Sequence, residues 1–434
     1  MNLIRKHLHR ELGVLLRSVV NPQHAYLISA WGDLSQSDLQ TQHQLDQTTL
    51  TRGAELSERL QTDLPQDTRA VVLLGALNSV DDVYSALEGT AESLGSETRL
   101  VNVSYNRLWR PLIRLLRGRF ARAENWIPPS EITNLLEQSG FEVVELRTAV
   151  VMPLPIPLLS RWCNRWLSPL PVFRLFSVYN VTIARAVRTA VDSNPQVSVI
   201  VAARNEEGNI DALIRRLPRM SRQQELIFVE GGSSDDTWGA IQRAVTQSKD
   251  SELRISAYQQ SGRGKGDAVR LGFQHAQGDI LIILDADLSV PPEELPRFIA
   301  LMRTGHCEFA NGSRLVYPME QQAMQFLNLL GNRFFGIVFT FLLGQPIRDT
   351  LCGTKALWAR DYQRIAAGRS HFGDFDPFGD FDLLFGAARL HLKIRDIPVH
   401  YKERVYGATN ISRFRHGALL LKMTIVAAHR LRFV

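Results

Sequence analysis

Cysteine is scarce in this chain: Cys163, Cys307 and Cys352 lie far apart, with no CxxC pair. That argues against a disulfide framework or a structural zinc site and fits a reducing compartment. Long apolar runs are missing as well. The richest stretch, AMQFLNLLGNRFFGIVFTFLLG at 323–344, is uninterrupted only from Phe334 to Leu343, with Arg333 directly before it. That is too short to cross a bilayer, so it reads either as an interfacial helix or as a buried helix facing the core. The opening segment, MNLIRKHLHRELGVLLRSVV, lacks a secretory apolar region and a small-residue cleavage site. Its apolar positions Leu3, Ile4, Leu8, Leu12, Leu15, Leu16 and Val19 recur at helical spacing. An amphipathic helix is expected, either packed on its own domain or lying on a membrane surface.

What the sequence does contain is enough material for two cores, since 434 residues exceed one ordinary domain. The balance of 45% apolar and 22% charged residues is that of a folded chain. A net charge of +6 favours anionic partners without choosing among nucleic acid, acidic lipid and phosphorylated substrates. No groove-reading motif supports nucleic acid. The oligomeric state is not legible.

Residues 1–150 read as an α/β unit. Ala25–Ile28, Arg69–Leu74, Leu100–Val103 and Phe141–Val144 are strand candidates separated by helical patterns, which implies a parallel sheet. Pro128-Pro129-Ser130 opens a helix, with Ser130 as the expected cap. The stretches LLGALNSVDDVYSALEGTAESLGSETRLVNVSYNRLW and WIPPSEITNLLEQSGFEVVE resemble the second half of a class I methyltransferase. Such folds hold their cofactor on a glycine-rich turn after the first strand. The matching YLISAWGDLSQ has Gly32 alone, and no GxG occurs in the first 150 residues. The resemblance therefore implies a degenerate, non-catalytic methyltransferase-like domain.

Residues 151–193 form a connector rich in proline, tryptophan and arginine. Trp162, Trp166, Phe173, Phe176 and Tyr179 are interleaved with Arg161, Arg165, Arg174 and Arg185. Such a pattern suits a membrane interface, where rings sit at headgroup level and arginine reaches lipid phosphate. It equally suits a connector packed between domains.

In residues 194–434 three strand–turn–helix units follow one another. VSVIVAA runs into Arg204-Asn205-Glu206, LIFVE into GGSSDDT, and GDILIILDADLS stops abruptly at Asp285-Ala286-Asp287. Asp235-Asp236-Thr237 can cap the helix that follows them. Polar turns at the carboxyl ends of buried strands are where ligands bind in doubly wound α/β sheets. Two neighbouring carboxylates repel, and a hard divalent cation such as Mg²⁺ or Mn²⁺ relieves that cost while bridging to phosphates.

The ordered set VSVIVAARNEEGNI, VEGGSSDDT, GRGKGDAVRLGF, ILDADLS and GSRL resembles family 2 glycosyltransferases of the GT-A fold, a Rossmann-like α/β class. The subgroup it is most similar to is that of polyprenyl-phosphate (dolichyl-phosphate) mannosyl- and glucosyltransferases, over about Gln196 to Arg413. The resemblance implies nucleotide-sugar contacts at Ala203, Arg204, Asn205, Glu206, Glu230, Arg263, Lys265 and Asp285, with Asp287 and Asp285 as metal ligands. Glu230-Gly231 stands where the family usually has two aspartates, so base recognition departs from the pattern. RDTLCGTKALWARD resembles the acceptor-shaping segment, with Asp349 and Gly353 at the recurrent positions. FGDFDLLF resembles the motif whose acidic residues, matched here by Asp380 and Asp382, lie near the acceptor, and ERVYGATNISRF resembles the loop that closes over the donor, which implies Arg404 near phosphate. Thr409-Asn410 replaces the family's serine-lysine. Arg314 and Arg333 are the matching candidates for a lipid phosphate.

The implied function is inverting transfer of a hexose from a nucleotide-sugar to a polyprenyl phosphate. The protein is expected to be peripheral or monotopic on the cytoplasmic face of a membrane. Two alternatives stay open: transfer to a sugar hydroxyl in polysaccharide or glycolipid synthesis, with Asp382 as general base, and a non-enzymatic scaffold. The nucleobase and the hexose are not legible.

Overall fold

The computed structural model describes residues 2–20, 24–29, 43–44, 60, 64–111, 125–187, 194–248, 252–317, 326–371, 379–403, 406 and 413–434. They fall into two compact units. The first comprises Met1–Arg188 together with Leu431–Val434, and the second comprises Thr189–Arg430.

In the first unit, α1 (Asn2–Val19) precedes β1 (Ala25–Ser29), β2 (His43–Gln44) and β3 (Ala70–Leu74). Then come α2 (Val83–Ser93), β4 (Arg99–Tyr105), α3 (Pro129–Gln138) and β5 (Phe141–Ala149). Two short helices, α4 (Leu159–Trp166) and α5 (Pro171–Arg174), lead to β6 (Tyr179–Ala186). The sheet order is β2-β1-β3-β4-β6-β5. The strands β1 to β4 pair in parallel as the sequence implies, whereas β6 is antiparallel to both β4 and β5. Part of the segment read as a connector is thus a strand buried at every position. Alternation of tyrosine, valine and isoleucine explains this: Tyr179, Val181 and Ile183 enter one core and Ala184 and Ala186 another.

Helix α1 buries Leu12, Leu16 and Val19 in the first of those cores, so it packs on its own unit. Asp82 caps α2, its Oδ1 accepting from the Ser85 amide at 3.1 Å. Helix α3 begins at Pro129, two residues earlier than a Ser130 cap implies. Ser130 therefore lies inside the first turn and makes no cap, while proline fixes the first turn without needing a donor. Gly32 lies outside the described residues.

The second unit runs β7 (Val197–Ala203), α6 (Glu207–Arg216), β8 (Gln224–Glu230), α7 (Thr237–Gln247), β9 (Arg254–Gln259), α8 (Lys265–His275) and β10 (Ile280–Ile283). It continues through α9 (Leu295–Arg303), β11 (Phe309–Ser313), α10 (Phe326–Leu343), β12 (Lys355–Trp358), α11 (Ala359–Ala367), α12 (Asp380–Arg389), β13 (Ile394–Pro398) and α13 (Arg413–Leu431). Its sheet order is β13-β11-β12-β10-β7-β8-β9. The strands β10, β7, β8 and β9 are parallel, and β12 runs antiparallel between β10 and β11. Val199, Val201, Leu226, Phe228, Ile280 and Ile282 form the centre of its core. The strand order makes this a mixed α/β sheet whose central strands end side by side, where ligands bind in this class.

Among the described residues, no helix is long and apolar enough to cross a membrane. Helix α10 buries Asn332, Phe339 and Leu342 and leaves Leu330, Phe334 and Ile337 exposed. Phe339 packs against Phe381 and Phe385 of α12. The helix is therefore buried on one face and exposed on the other.

Candidate functional site

The turns after β7 and β8 are stitched together. Asn205 adopts a left-handed backbone (φ 57°), and its side-chain oxygen accepts from the Ser234 amide at 2.8 Å. Its own amide donates to Ser233 Oγ at 3.0 Å, and the Glu206 amide donates to Thr237 Oγ1 at 2.9 Å. Asp235, rather than Asp236, caps α7, accepting from the Thr237 amide at 3.1 Å. Ala203 is buried at the end of β7, and Gly231 continues the ladder by donating to its carbonyl. Glu230 is buried and committed to the same loop: Oε1 accepts from the Ser233 amide and Oε2 from the Gln259 side chain. Arg204 and Arg263 are exposed.

At the end of β10 the chain turns through Asp285, Ala286 and Asp287, with Leu288 in the left-handed region (φ 55°). Asp287 is buried, and its Oδ1 accepts from the Ser289 amide at 3.0 Å. Asp285 pairs with Lys265 at the first position of α8. Burial alone would raise the Asp285 carboxyl; the Lys265 ammonium, with Lys355 and Arg314 farther off, outweighs burial and holds it below the ordinary carboxylate range.

Two glycines make this arrangement possible. A Cβ on Gly353 would overlap the Lys265 ammonium and the Asp285 carboxylate. A Cβ on Gly379 would come 3.0 Å from the Gly266 Cα, so the start of α12 lies against the start of α8. Lys265, Asp285, Gly353 and the amino end of α12 are thereby gathered into one place. Asp380 opens α12, but its side chain lies outside the described residues. Asp382 is buried and pairs with Arg369 at 2.8 Å. Burial disfavours the Arg369 cation, yet its bond to Asp382 keeps the guanidinium's affinity for protons above the ordinary value.

Arg314 is fully engaged on Asp349. Its Nε and Nη2 donate to the two carboxylate oxygens at 2.7 and 2.8 Å, and its amide donates at 3.0 Å. Asn332 of α10 adds a further donor at 2.8 Å. Burial pushes the Asp349 carboxyl up, but Arg314 brings it down to about 2. The guanidinium also stacks over Tyr401, 5.0 Å from the ring centroid. The residue expected to meet a lipid phosphate is here a structural cross-link, whereas Arg333 is exposed on α10 beside Leu330, Phe334 and Ile337. Arg404, Thr409 and Asn410 lie outside the described residues. Tyr406, from the same loop, donates to Asp235 at 3.2 Å.

Sequence reading missed Lys355, Arg369 and Gly379. Lys355 carried a signal, a lysine opening the apolar KALW. It is fully buried opposite Ile283 and donates to the Cys352 carbonyl. Burial pushes the Cys352 thiol up to about 12, which leaves it unreactive.

Among the described residues no group of three or more His, Cys, Asp or Glu side chains is disposed to hold a metal ion. Asp285 and Asp287 offer hard oxygen donors from one turn, which fits Mg²⁺ or Mn²⁺ completing its shell with phosphate and water. The absent side chain of Gly353 leaves its space to the Lys265 ammonium, so Asp285 already attracts a cation there.

Residues 198–363 match the Glycosyl transferase family 2 description. Two curated relatives are undecaprenyl-phosphate 4-deoxy-4-formamido-L-arabinose transferases. That of Enterobacter sp. (strain 638) is 27% identical over 52% of this chain and 66% of its own length. That of Salmonella choleraesuis (strain SC-B67) is 29% identical over 51% of this chain and 64% of its own length. The chain thus spans just under two thirds of the relatives it matches. Among solved structures, glucosyl-3-phosphoglycerate synthase from Mycobacterium tuberculosis is 19% identical, with a TM-score of 0.39 over 55% of this chain and 80% of that one.

Proposed function

We propose that the second unit is an inverting, metal-dependent hexosyltransferase of glycosyltransferase family 2 and GT-A type, moving a sugar from a nucleotide-sugar to a polyprenyl phosphate. The observation that carries this reading is the Lys265–Asp285 pair beneath Gly353, in the same turn as Asp287, at the carboxyl ends of the parallel strands β7 and β10. The family match over 198–363 and the acceptor named for the two relatives support it.

Asp287 and Asp285 would hold a divalent cation, whose chemistry is Lewis-acid stabilisation of a departing nucleoside diphosphate. Lys265 is positioned to exchange its carboxylate partner for a diphosphate oxygen, and Arg404 is a candidate for the same charge. Ala203, Arg204, Asn205 and Glu206 would line the nucleoside side. Glu230 would act there through the Ser233 loop that it holds. A lipid phosphate is already ionised near neutral pH, so no general base is required. The engagement of Asp382 by Arg369 suits that acceptor better than a hydroxyl, for which Asp382 would have to accept a proton.

Because Arg314 is committed to Asp349, Arg333 and the exposed stripe of α10 are the better candidates for the lipid. The first unit is read as a methyltransferase-like α/β domain without a catalytic role. The site of action is read as the cytoplasmic surface of a membrane.

The test is a panel of radiolabelled nucleotide-sugars with Mn²⁺ or Mg²⁺ and polyprenyl phosphate. Label should enter the organic phase with one sugar and disappear from it in Asp287→Ala. If every sugar stays in water with every acceptor, the proposal fails. If Asp382→Asn abolishes transfer to a hydroxyl acceptor that the native protein uses, the hydroxyl alternative replaces it.

A further inference from the structure

The first unit contains a cavity of about 400 Å³ that the transferase reading does not use. Its wall is built from elements far apart in sequence. Helix α1 supplies Arg10 and Arg17, the strand β5 supplies Arg147, and α4 supplies Arg161 and Arg165. Arg174 of α5 and Arg432 from the end of the chain complete it. Among the described lining residues the one acidic side chain is Glu11.

Counter-charge is limited. Glu145 accepts from Arg147 at 2.8 and 3.1 Å and also pairs with Arg432 at 2.7 Å, so one carboxylate serves two guanidiniums. Glu11 accepts from Arg10 and from Asn164. Arg165 donates to the Phe433 carbonyl and Arg174 to that of Pro169, neutral acceptors that leave the charge unbalanced. Burial brings Arg432 down to about 10, with the Glu145 carboxylate opposing and repulsion from Arg147 and Arg174 adding, and burial lowers the half-buried Arg174 as well. Collecting guanidiniums around one void costs Coulomb energy that an anion in the void would recover.

The rim is apolar and exposed. On α4, residues 161, 164 and 165 face the cavity at the i, i+3, i+4 spacing of one helix face. On the adjoining face Leu158 is 88% exposed and Trp162 55%. The next helix repeats the pattern: Arg174 points in, while Val172 and Leu175 are 71% and 67% exposed. Soluble surfaces seldom present so many large apolar side chains together. An aqueous metabolite would make no use of them, whereas the interfacial zone of a bilayer would.

We propose that this cavity receives the phosphate of an anionic lipid headgroup, with the apolar residues of α4 and α5 entering the membrane interface around it. Arginine suits this ligand because its planar fork binds two phosphate oxygens at once. The site belongs to the first unit and does not depend on what the second unit catalyses.

The experiment is co-sedimentation of the full chain with vesicles of phosphatidylcholine alone or with one fifth phosphatidylglycerol. Arg161→Gln and Arg174→Gln are compared with Arg69→Gln, an exposed arginine of the same unit away from the cavity and its rim. The native protein is expected to prefer the anionic vesicles. Each cavity variant should weaken that binding by about 5-fold and the pair by about 25-fold, the worth of one cation near such a surface. Arg69→Gln should change it less than 2-fold, and melting temperatures should stay within the native range for Arg161→Gln, which is exposed. Trp162 fluorescence, isolated by comparison with Trp162→Phe, should be quenched by brominated lipid. Equal loss in the cavity and control variants would mean diffuse attraction and overturn the proposal. Tight binding of soluble glycerol phosphate without any vesicle preference would overturn it too, by making the ligand a free phosphate.

Discussion

Replacing Gly353 with alanine tests the site directly. The new Cβ would lie 2.7 Å from Asp285 Oδ1 and nearer still to Oδ2 and the Lys265 ammonium, where ordinary contacts begin at 3.4 Å. Clearing Oδ1 alone therefore requires a shift of roughly 0.7 Å, and the closer atoms require more. Lys265 can swing away, being the far end of a flexible chain, but Asp285 is fixed by the end of β10. A displacement on the order of 1 Å at a reacting centre costs about 100-fold in rate, or about 2.7 kcal/mol of barrier. The fold itself should lose only about 1–3 kcal/mol through overpacking. The assay is nucleotide-sugar turnover alongside thermal unfolding, with Gly331→Ala as the matched control. A Cβ on Gly331 meets nothing within 4 Å, and alanine in a helix is favoured by about 1 kcal/mol. The Lys265→Ala background adds a coupling measurement, since removing the ammonium removes part of the clash, so the Gly353→Ala penalty should shrink there. Turnover of Gly353→Ala within 2-fold of native, at an unchanged melting temperature, would refute the assignment of this cluster as the reacting site.

Other expectations follow from the buried charges of the second unit. Arg314→Met strands Asp349 without its bidentate partner and should cost about 3–5 kcal/mol in denaturant unfolding. Asp349, lowered to about 2 in the folded state, contributes stability that is complete above its unfolded value near 4. That contribution, about 2 kcal/mol, is lost as pH falls from 4 towards 2; Asp349→Asn should flatten this acid limb. Asp396 works in the opposite sense. Burial raises it to about 6 despite bonds from Asn311 and the Arg348 amide, so the folded state keeps a proton that the unfolded chain releases near 4. Stability should fall by about 3 kcal/mol as pH rises from 4 to 6 and level off above that, and Asp396→Asn should remove the slope.

Much of the second unit was legible in the sequence because its information is local. Short apolar runs ending in polar turns gave β7, β8 and β10, and Asp285-Ala286-Asp287 stood out where LIIL stops. The placement of β6 was not legible. Its neighbours β4 and β5 both precede it in the chain, so nothing in the pattern from Tyr179 to Ala186 names them, and the surrounding arginines and aromatics pointed to a surface. The pairing of Arg314 was not legible for a related reason. Its resemblance-implied role assumed an available guanidinium, and the carboxylate that takes it up lies thirty-five positions away at Asp349. Residue type is readable from a motif, but a side chain's partner is a property of tertiary structure. The pairing of Asp382 with Arg369 shows the same limit over a shorter span.

The pairing of Arg432 with Glu145 has a consequence for biogenesis. Glu145 leaves the ribosome with Arg147 two residues behind it, whereas Arg432 emerges only after the whole second unit has been made. At about 5–20 residues per second, roughly 15 to 60 seconds of synthesis separate the two partners. Throughout that interval Glu145 is matched by Arg147 alone, and Arg432 then joins an ion pair already made. A ribosome that stops short of residue 432 would leave its mark on the unit made first.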